Sequence, residues 1–321
     1  MAHPLRFADL VQRLGVNTET EILVSGSPDA SVKDNDVHRP GMGLMGYTDG
    51  FLSERLQVLG ESEIRYLESL SVDEQRTAIR RVLDVKVAGV FVAMDLELPP
   101  PVLAELEGDR IPVARVALET EDLVDRLRDL LKDHFALRSN VHGTLVDVYG
   151  VGMLFTGRSG IGKSETALDL IERGHRLVAD DLVEITRRDD VLMGTGRKTL
   201  KHHMEIRGIG IVDVFPIFGV RALRMQKRVE VEVRLEDWVE GKSYDRLGLD
   251  RDQSEILGVS IPKVNVPIVP GKNITVITEV LALDFMLKMY GIDSAELLNR
   301  KLIESMEELG RTAQYLRHDL E

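Results

Sequence analysis

The chain has 321 residues, and its 41 Lys and Arg against 54 Asp and Glu give a formal net charge of −13 at pH 7. This acidic balance argues against a protein whose main task is to bind polyanionic nucleic acid. The sequence contains no cysteine, which excludes disulfides, thiolate metal sites and cysteine nucleophiles and suits a reducing compartment. The length allows two domains of ordinary size.

Residues 1–15 mix charged and apolar side chains, which predicts an amphipathic helix rather than a signal peptide. The apolar run at residues 87–94 has eight residues, whereas a helix that spans a bilayer needs about 20. We therefore expect a soluble, cytoplasmic protein that binds neither membranes nor nucleic acid.

The first part of the chain alternates strand and helix patterns. Strands are predicted at residues 21–24, 87–94 and 111–117, and helices at residues 102–106, after three prolines, and at 121–131. This alternation is typical of an α/β fold. The helical spacing is lost near residues 135–140, so we predict an N-terminal α/β domain at residues 1–134 and a second domain at residues 135–321.

The second part of the chain loses the regular strand–helix alternation, which favours a mixed sheet over a purely parallel one. Strands are predicted at residues 141–148, 151–156, 209–214, 229–235 and 274–276, and helices at residues 279–290 and 294–317. The predicted fold class is therefore α/β with two domains, of which the second carries the mixed sheet.

A phosphate-binding loop follows the strand predicted at residues 151–156. The motif G-x-x-x-x-G-K-S/T is matched by Gly157, Arg158, Ser159, Gly160, Ile161, Gly162, Lys163 and Ser164. A strand before this segment and an amphipathic helix after it are the context in which such a loop wraps its amides around phosphates. Lys163 is expected to reach the β and γ phosphates and Ser164 to bind Mg²⁺.

A P-loop predicts nucleotide binding but does not identify the reaction. A GTPase is expected to carry N-K-x-D, and no asparagine here is followed by lysine; the D-x-x-G at residues 245–248 is too loose to decide. A transporter ATPase is expected to carry L-S-G-G-Q, which is absent from the sequence. The leading class is therefore a kinase.

Two adjacent carboxylates, Asp180 and Asp181, end an apolar strand 17 and 18 residues after Lys163. Carboxylates in this position can hold a metal through water or accept the proton of an attacking hydroxyl. A pair of solvated aspartates in a turn is the alternative interpretation of the same pattern.

Several motifs together resemble the HPr kinase/phosphorylase family. They are the P-loop, G-H-R-L-V-A-D-D at residues 174–181, H-M-E-I-R-G-I-G-I-V-D-V at residues 203–214, R-P-G at residues 39–41 and E-R-L-Q-V-L-G at residues 54–60. The second and third motifs are highly specific to this family, and the resemblance covers nearly the whole chain.

This resemblance implies a bifunctional enzyme. It would phosphorylate a serine of the phosphocarrier protein HPr with ATP, or in some members with pyrophosphate. In the reverse direction inorganic phosphate would attack the phosphoserine and release pyrophosphate. The resemblance further implies a catalytic domain like phosphoenolpyruvate carboxykinase, an N-terminal domain like part of a peptidoglycan-precursor ligase, and a homohexamer.

The resemblance also assigns residues by matching motifs. Asp181 would be the proton acceptor for phosphorylation and the proton donor for the reverse reaction, and Ser164 and Glu205 would bind Mg²⁺. The other catalytic positions are His142, Lys163 and Arg246. The motif tied to both activities contains Met204, Glu205, Ile206, Arg207, Gly208, Ile209, Gly210, Ile211, Val212 and Asp213. The loop tied to phosphorolysis contains Pro267, Ile268, Val269, Pro270, Gly271 and Lys272.

One position of the phosphorolysis loop departs from the family pattern, because Val269 is apolar where basic residues are common. Two other functions stay open at this point. A P-loop kinase of a small metabolite would have no protein substrate, and a nucleotide-gated regulatory module would transfer no phosphate and would not need Asp181.

Overall fold

The computed structural model describes residues 4–15, 18–28, 30–48, 54–197, 202–240 and 252–318, with side chains up to residue 307. The chain divides into two compact units, Met1–Ala136 and Leu137–Glu321. Within the described residues, no helix is both long and apolar enough to cross a membrane.

The N-terminal unit alternates strands and helices. Its strands are β1 (Leu5–Arg6), β2 (Thr20–Val24), β3 (Ser31–Val32), β4 (Val37–His38), β5 (Leu56–Leu59), β6 (Gly89–Val92) and β7 (Val113–Val116). Its helices are α1 (Phe7–Leu14), α2 (Gly41–Leu44), α3 (Glu61–Glu68), α4 (Val72–Leu83), α5 (Pro100–Gly108) and α6 (Thr120–Phe135).

The main sheet of this unit has the strand order β2-β7-β6-β5-β4. Strands β4 to β7 are parallel, and β2 pairs antiparallel with β7. Helices α1 and α6 pack on one face, and α3, α4 and α5 pack on the other. Both faces are therefore covered, as the apolar strands of a parallel sheet require.

The C-terminal unit begins with strands that frame the P-loop. Its strands are β8 (Arg138–His142), β9 (Thr144–Val148), β10 (Val151–Thr156), β11 (Arg176–Ala179), β12 (Leu182–Arg188), β13 (Val191–Gly196), β14 (His203–Ile206), β15 (Gly210–Asp213), β16 (Gln226–Arg228), β17 (Val231–Asp237), β18 (Gln253–Ile256) and β19 (Val259–Ile268). Its helices are α7 (Lys163–Glu172), α8 (Val214–Phe218), α9 (Ile274–Met289) and α10 (Ser294–His318), with a 3-10 turn at Val220–Ala222.

The main sheet of this unit has the order β11-β9-β10-β17-β19-β18. Strands β10, β17 and β19 are parallel, and the outer strands run antiparallel to their neighbours. Helices α7 and α9 pack on one face, and the sheet β16-β13-β12-β8 covers the other. The prediction of an α/β fold with a mixed sheet is confirmed. The carboxyl ends of the three parallel strands meet at one edge.

Two of the predicted strands differ from the structure: one is divided into two strands, and the other is part of a helix. Residues 141–148 form two strands, because Gly143 separates β8 from β9 and a Cβ at Gly143 would lie 2.5 Å from the carbonyl oxygen of Phe155. The β-branched residues 274–276 form the first turn of α9, because the Asn273 side chain accepts a hydrogen bond from the Val276 amide at 3.0 Å. This N-cap and the packing of α9 on the core outweigh the local preference for a strand.

An ionic cluster joins α9 to the C-terminal end of α7. The Arg173 guanidinium donates two hydrogen bonds of 2.7 Å to the Glu279 carboxylate, and Nε2 of His175 lies 3.1 Å from Glu279 Oε1. The Tyr149 ring meets the His175 ring edge to face at 4.6 Å. The hydrogen bond from Arg173 lowers the pKa of Glu279 below its ordinary value. The cluster therefore fixes α9 against the helix that follows the P-loop.

We predict that Glu279→Gln lowers the free energy of unfolding at pH 7 by about 1 kcal/mol, because it weakens charge-assisted hydrogen bonds that solvent partly screens. A depressed pKa means that the Glu279 contribution is full above its ordinary pKa of 4.5 and is lost as the pH falls through the lower folded-state pKa. Urea unfolding should therefore show a smaller difference in the free energy of unfolding between wild type and variant as the pH falls through the folded-state pKa of Glu279.

The matched control is Glu172→Gln on α7, whose exposed side chain has no hydrogen-bond or ion-pair partner among the described residues. It should leave the free energy of unfolding nearly unchanged, both at pH 7 and at the lower pH. An equal effect of the two variants would show that the cluster at Glu279 does not stabilise the fold.

Candidate active site

The phosphate-binding loop joins the end of β10 to the start of α7. Gly157, Gly160 and Gly162 have φ values of 137°, 72° and 108°, a region that side chains rarely adopt. A Cβ at Gly157 would also collide with the carbonyl oxygen of Leu235 on β17. The loop therefore needs glycine both for its backbone conformation and for its close approach to the neighbouring strand.

Two basic side chains of the loop are already hydrogen-bonded. Lys163 is buried, and its Nζ donates to the carbonyl oxygens of Gly157 and Arg158 at 3.2 Å each. The Arg158 guanidinium binds the Asp237 carboxylate at 2.6 and 2.7 Å. Asp237 ends β17, so this ion pair fastens the start of the loop to the sheet. Ile161 is buried in the core, whereas Ser159 is exposed.

Asp180 accepts hydrogen bonds from several elements at once. Its carboxylate accepts from Ser164 Oγ at 2.9 and 3.0 Å and from Thr144 Oγ1 at 2.6 Å. The Glu205 amide also donates to it at 3.4 Å. Burial raises the pKa of Asp180, although these hydrogen bonds act in the opposite direction. Asp180 thus connects the P-loop helix to β9 and to β14.

The adjacent carboxylate has a different environment. Asp181 is 61% exposed, and its Oδ1 lies 3.2 Å from Nδ1 of His142, which is 51% exposed. Its backbone has φ of 64°, which is uncommon for a residue other than glycine. The Asp181 carbonyl accepts a hydrogen bond from the Gly143 amide at 3.1 Å. The local backbone therefore turns the Asp181 carboxylate out toward solvent beside the P-loop helix.

The motif at residues 204–213 forms the hairpin of β14 and β15. Met204 and Ile206 are buried in the core, and the side chain between them, Glu205, is exposed. Ile209 and Ile211 are 72% and 73% exposed near the turn. The hydrogen bond from the Glu205 amide to Asp180 places this hairpin beside the P-loop helix.

The segment tied by resemblance to phosphorolysis starts at the same sheet edge as the P-loop. Ile268 at the end of β19 pairs with Asp237, which holds Arg158 of the P-loop. The Lys272 amide donates to the Val269 carbonyl at 3.0 Å, and Lys272 Nζ lies 3.4 Å from the Pro267 carbonyl oxygen. This segment is therefore a turn between β19 and α9. The predicted catalytic Arg246 lies outside the described residues.

The candidate metal donors beside the P-loop helix are oxygen atoms. The Ser164 hydroxyl donates to the Asp180 carboxylate, and the backbone amide of Glu205, whose side chain carries a further carboxylate, contacts the same group. No group of three or more His, Cys, Asp or Glu suited to a metal occurs in the described ranges. Such a donor set suits a hard cation that completes its coordination with water and phosphate oxygens.

The sequence pattern assigned Asp180 only a role shared with Asp181, as a metal or proton site, and it gave no signal for Thr144. The available signal was the position of Asp180 directly after an apolar strand, next to the P-loop in the fold. Its partners in Thr144 and Glu205 are 36 and 25 residues away along the chain. No local spacing rule connects residues that far apart.

Two family descriptions match this chain. "HPr Serine kinase N terminus" matches residues 5–131, and "HPr Serine kinase C-terminal domain" matches residues 133–302. Together they cover most of the chain and both of its units.

Named relatives are similar over most of their length. The HPr kinase/phosphorylase of Chloroherpeton thalassium is 46% identical over 298 residues, which are 90% of this chain and 88% of the relative. That of Geobacillus kaustophilus is 42% identical over 289 residues, 89% of this chain and 93% of the relative. A solved structure of the Hpr(Ser) kinase/phosphatase from Coxiella burnetii is 34% identical with a TM-score of 0.44, and the match covers 47% of this chain and 99% of that one. The chain belongs to the HPr serine kinase family.

Proposed function

We propose that this chain transfers a phosphoryl group from ATP or pyrophosphate to a serine of HPr in the cytoplasm, and that inorganic phosphate removes the group again as pyrophosphate. The observation that carries the proposal is the exposed Asp181 carboxylate beside Asp180, which is hydrogen-bonded to Ser164 of the P-loop helix. The exposed carboxylate is accessible to a hydroxyl that approaches from solvent.

In the kinase direction, the serine hydroxyl gives its proton to Asp181 as its oxygen attacks the γ-phosphorus of ATP. The bond between that phosphorus and the bridging oxygen breaks, and ADP leaves with the electron pair. His142 Nδ1, 3.2 Å from Asp181 Oδ1, orients the carboxylate for this transfer.

In the reverse direction, an oxygen of inorganic phosphate attacks the phosphorus of phosphoserine. The bond to the serine oxygen breaks, the protonated Asp181 returns its proton to that oxygen, and pyrophosphate forms. This step is the microscopic reverse of phosphorylation by pyrophosphate, so the same carboxylate accepts the proton in one direction and donates it in the other.

Ser164 and Glu205 are the residues that would hold Mg²⁺, since the Ser164 hydroxyl and the Glu205 amide both contact Asp180. Hydroxyl and carboxylate oxygens are the donors that this ion prefers. When bound, Mg²⁺ would neutralise charge on the phosphates. Asp180 accepts from the Ser164 hydroxyl and so fixes its position.

A protein acceptor explains the surface near the hairpin better than a small metabolite does. Five large apolar side chains between residues 209 and 220 are more than half exposed: Ile209, Ile211, Phe215, Ile217 and Val220. Clusters of exposed apolar side chains are typical of protein-binding surfaces. They belong to the hairpin whose Glu205 amide contacts Asp180, and to α8 and the 3-10 turn that follow it.

The experiment is intact-mass spectrometry of HPr incubated with this protein, Mg²⁺ and ATP, followed by added phosphate with pyrophosphate measured. We expect HPr to gain one phosphate on serine and then to lose it with equimolar pyrophosphate. Asp181→Asn should reduce transfer by about 10² to 10⁴ and leave ADP affinity nearly unchanged, because only the proton acceptor is removed.

No gain of mass by HPr would contradict the proposed kinase. If HPr gained a phosphate but did not lose it when inorganic phosphate was added, only the phosphorolysis would be refuted. The apolar side chain of Val269 would then be the position to examine. Full transfer by Asp181→Asn would show that another group accepts the proton.

We further propose that the chain assembles as a homohexamer, in part through α9. One face of α9 packs on the core through Ile277, Leu281 and Phe285. The other face exposes a stripe with helical spacing, formed by Val276, Val280, Leu283 and Leu287. A helix with a second apolar face normally buries that face as well, and a second copy of the chain is the partner that we propose for it.

Light scattering of the purified protein should give a mass of six chains. Leu283→Asp should reduce this mass, because it places a charge in the middle of the stripe, while leaving the circular dichroism spectrum unchanged. Glu172→Gln is the control and should keep the wild-type mass. A wild-type monomer, or a Leu283→Asp protein of unchanged mass, would refute this interface.

A further inference from the structure

The turn of the β14–β15 hairpin places a guanidinium directly on the P-loop. A Cβ built on Gly160 would lie within 2.6 Å of Nη1, Cζ and Nη2 of Arg207. Gly160 also has a φ of 72°. The absence of a side chain at Gly160 is therefore what allows the end of Arg207 to lie against the loop that wraps the phosphates.

Arg207 differs from Lys163 and Arg158 in having no hydrogen-bond or ion-pair partner among the described residues. Lys163 donates to two loop carbonyls, and Arg158 is paired with Asp237. Across the part of the chain that the structure describes, Arg207 makes no hydrogen bond or ion pair, and its side chain is exposed. Its five N–H donors are therefore available to a ligand, and their planar arrangement matches phosphate oxygens.

The same hairpin contacts the other groups of the site. Met204 and Ile206 are buried in the core, and Glu205 between them is exposed. Arg207 follows β14 directly in the turn, where its guanidinium lies against Gly160. The Glu205 amide contacts Asp180, which in turn accepts from Ser164. The hairpin thus brings the Glu205 amide to Asp180 and the Arg207 guanidinium to the phosphate loop.

We propose that Arg207 is a catalytic residue that binds the oxygens of the phosphoryl group during its transfer. This inference rests on the proposed function. As the bond from serine oxygen to phosphorus forms and the bond to the bridging oxygen breaks, negative charge is spread over the three oxygens that stay on phosphorus. Arg207 binds those oxygens, gives up no proton, and serves both directions because the same group is transferred in each.

This role predicts a specific dependence on the number of phosphates. ADP lacks the transferred group, so its binding should not need Arg207, whereas a non-hydrolysable ATP analogue should bind more weakly without it. Two other roles predict different outcomes. A residue that only shapes the P-loop would affect ADP and the ATP analogue equally, and a residue that only docks HPr would affect the KM for HPr alone.

The test compares Arg207→Ala and Arg207→Lys with wild type in calorimetric titrations of ADP and the ATP analogue, and in steady-state transfer to HPr. We expect Arg207→Ala to lower kcat by about 10² to 10³, to weaken binding of the analogue about tenfold and to change ADP affinity less than about twofold. Arg207→Lys should recover only part of the lost kcat, because an ammonium keeps the charge but loses the planar fork.

The matched control is Arg228→Ala. Arg228 is an exposed arginine on β16, and its carbonyl lies against Gly152 near the start of β10, far along that strand from the loop. It should behave as wild type in every assay. Equal weakening of ADP and the analogue, an effect on the KM for HPr alone, or an unchanged kcat would each overturn the role assigned to Arg207.

The calorimetric titrations test this inference independently of the proposed function. If the wild-type protein transferred nothing to HPr, the proposed function would fail, and the comparison of analogue with ADP would still decide whether Arg207 binds the terminal phosphoryl group. If transfer occurred, and Arg207→Ala changed neither kcat nor the difference in affinity between the ATP analogue and ADP, only the role of Arg207 would be refuted.

Discussion

The arrangement of the active site depends on one partly buried carboxylate. Asp180 accepts hydrogen bonds from Ser164 on the P-loop helix, Thr144 on β9 and the Glu205 amide on β14. Each of these donors belongs to a different element, so a single side chain fixes where the phosphate loop, the central sheet and the β14–β15 hairpin meet. Removing it would leave two hydroxyls and an amide without their acceptor, which is costly away from water.

Two neighbouring aspartates acquire different properties from their surroundings. Burial raises the pKa of Asp180 and hydrogen bonds hold it in place, whereas Asp181 is turned into solvent by a backbone with φ of 64°. Backbone strain of this kind persists where the surrounding structure enforces it, and here the Gly143 amide binds the Asp181 carbonyl. The fold thus gives two consecutive carboxylates different surroundings, one buried and hydrogen-bonded and the other exposed, which is the basis of the different roles proposed for them.

The sequence was most informative where the signal is local. The P-loop is one contiguous motif between a strand and a helix, so its position could be predicted from spacing alone. The hydrogen bonds of Asp180 and the contact of Arg207 with Gly160 join distant segments, and no spacing rule reveals them. The strand predicted at residues 274–276 was wrong because β-branched residues favour a strand locally, whereas the Asn273 cap and core packing favour a helix.

The most direct test of this division of roles is the affinity for ADP with Mg²⁺, measured by calorimetry on Asp180→Ala and Asp181→Ala side by side. If Asp180 organises the site, its removal should weaken binding by about tenfold or more, and removal of Asp181 should change it by less than about threefold. Unchanged binding in Asp180→Ala, or a larger loss in Asp181→Ala, would contradict the account.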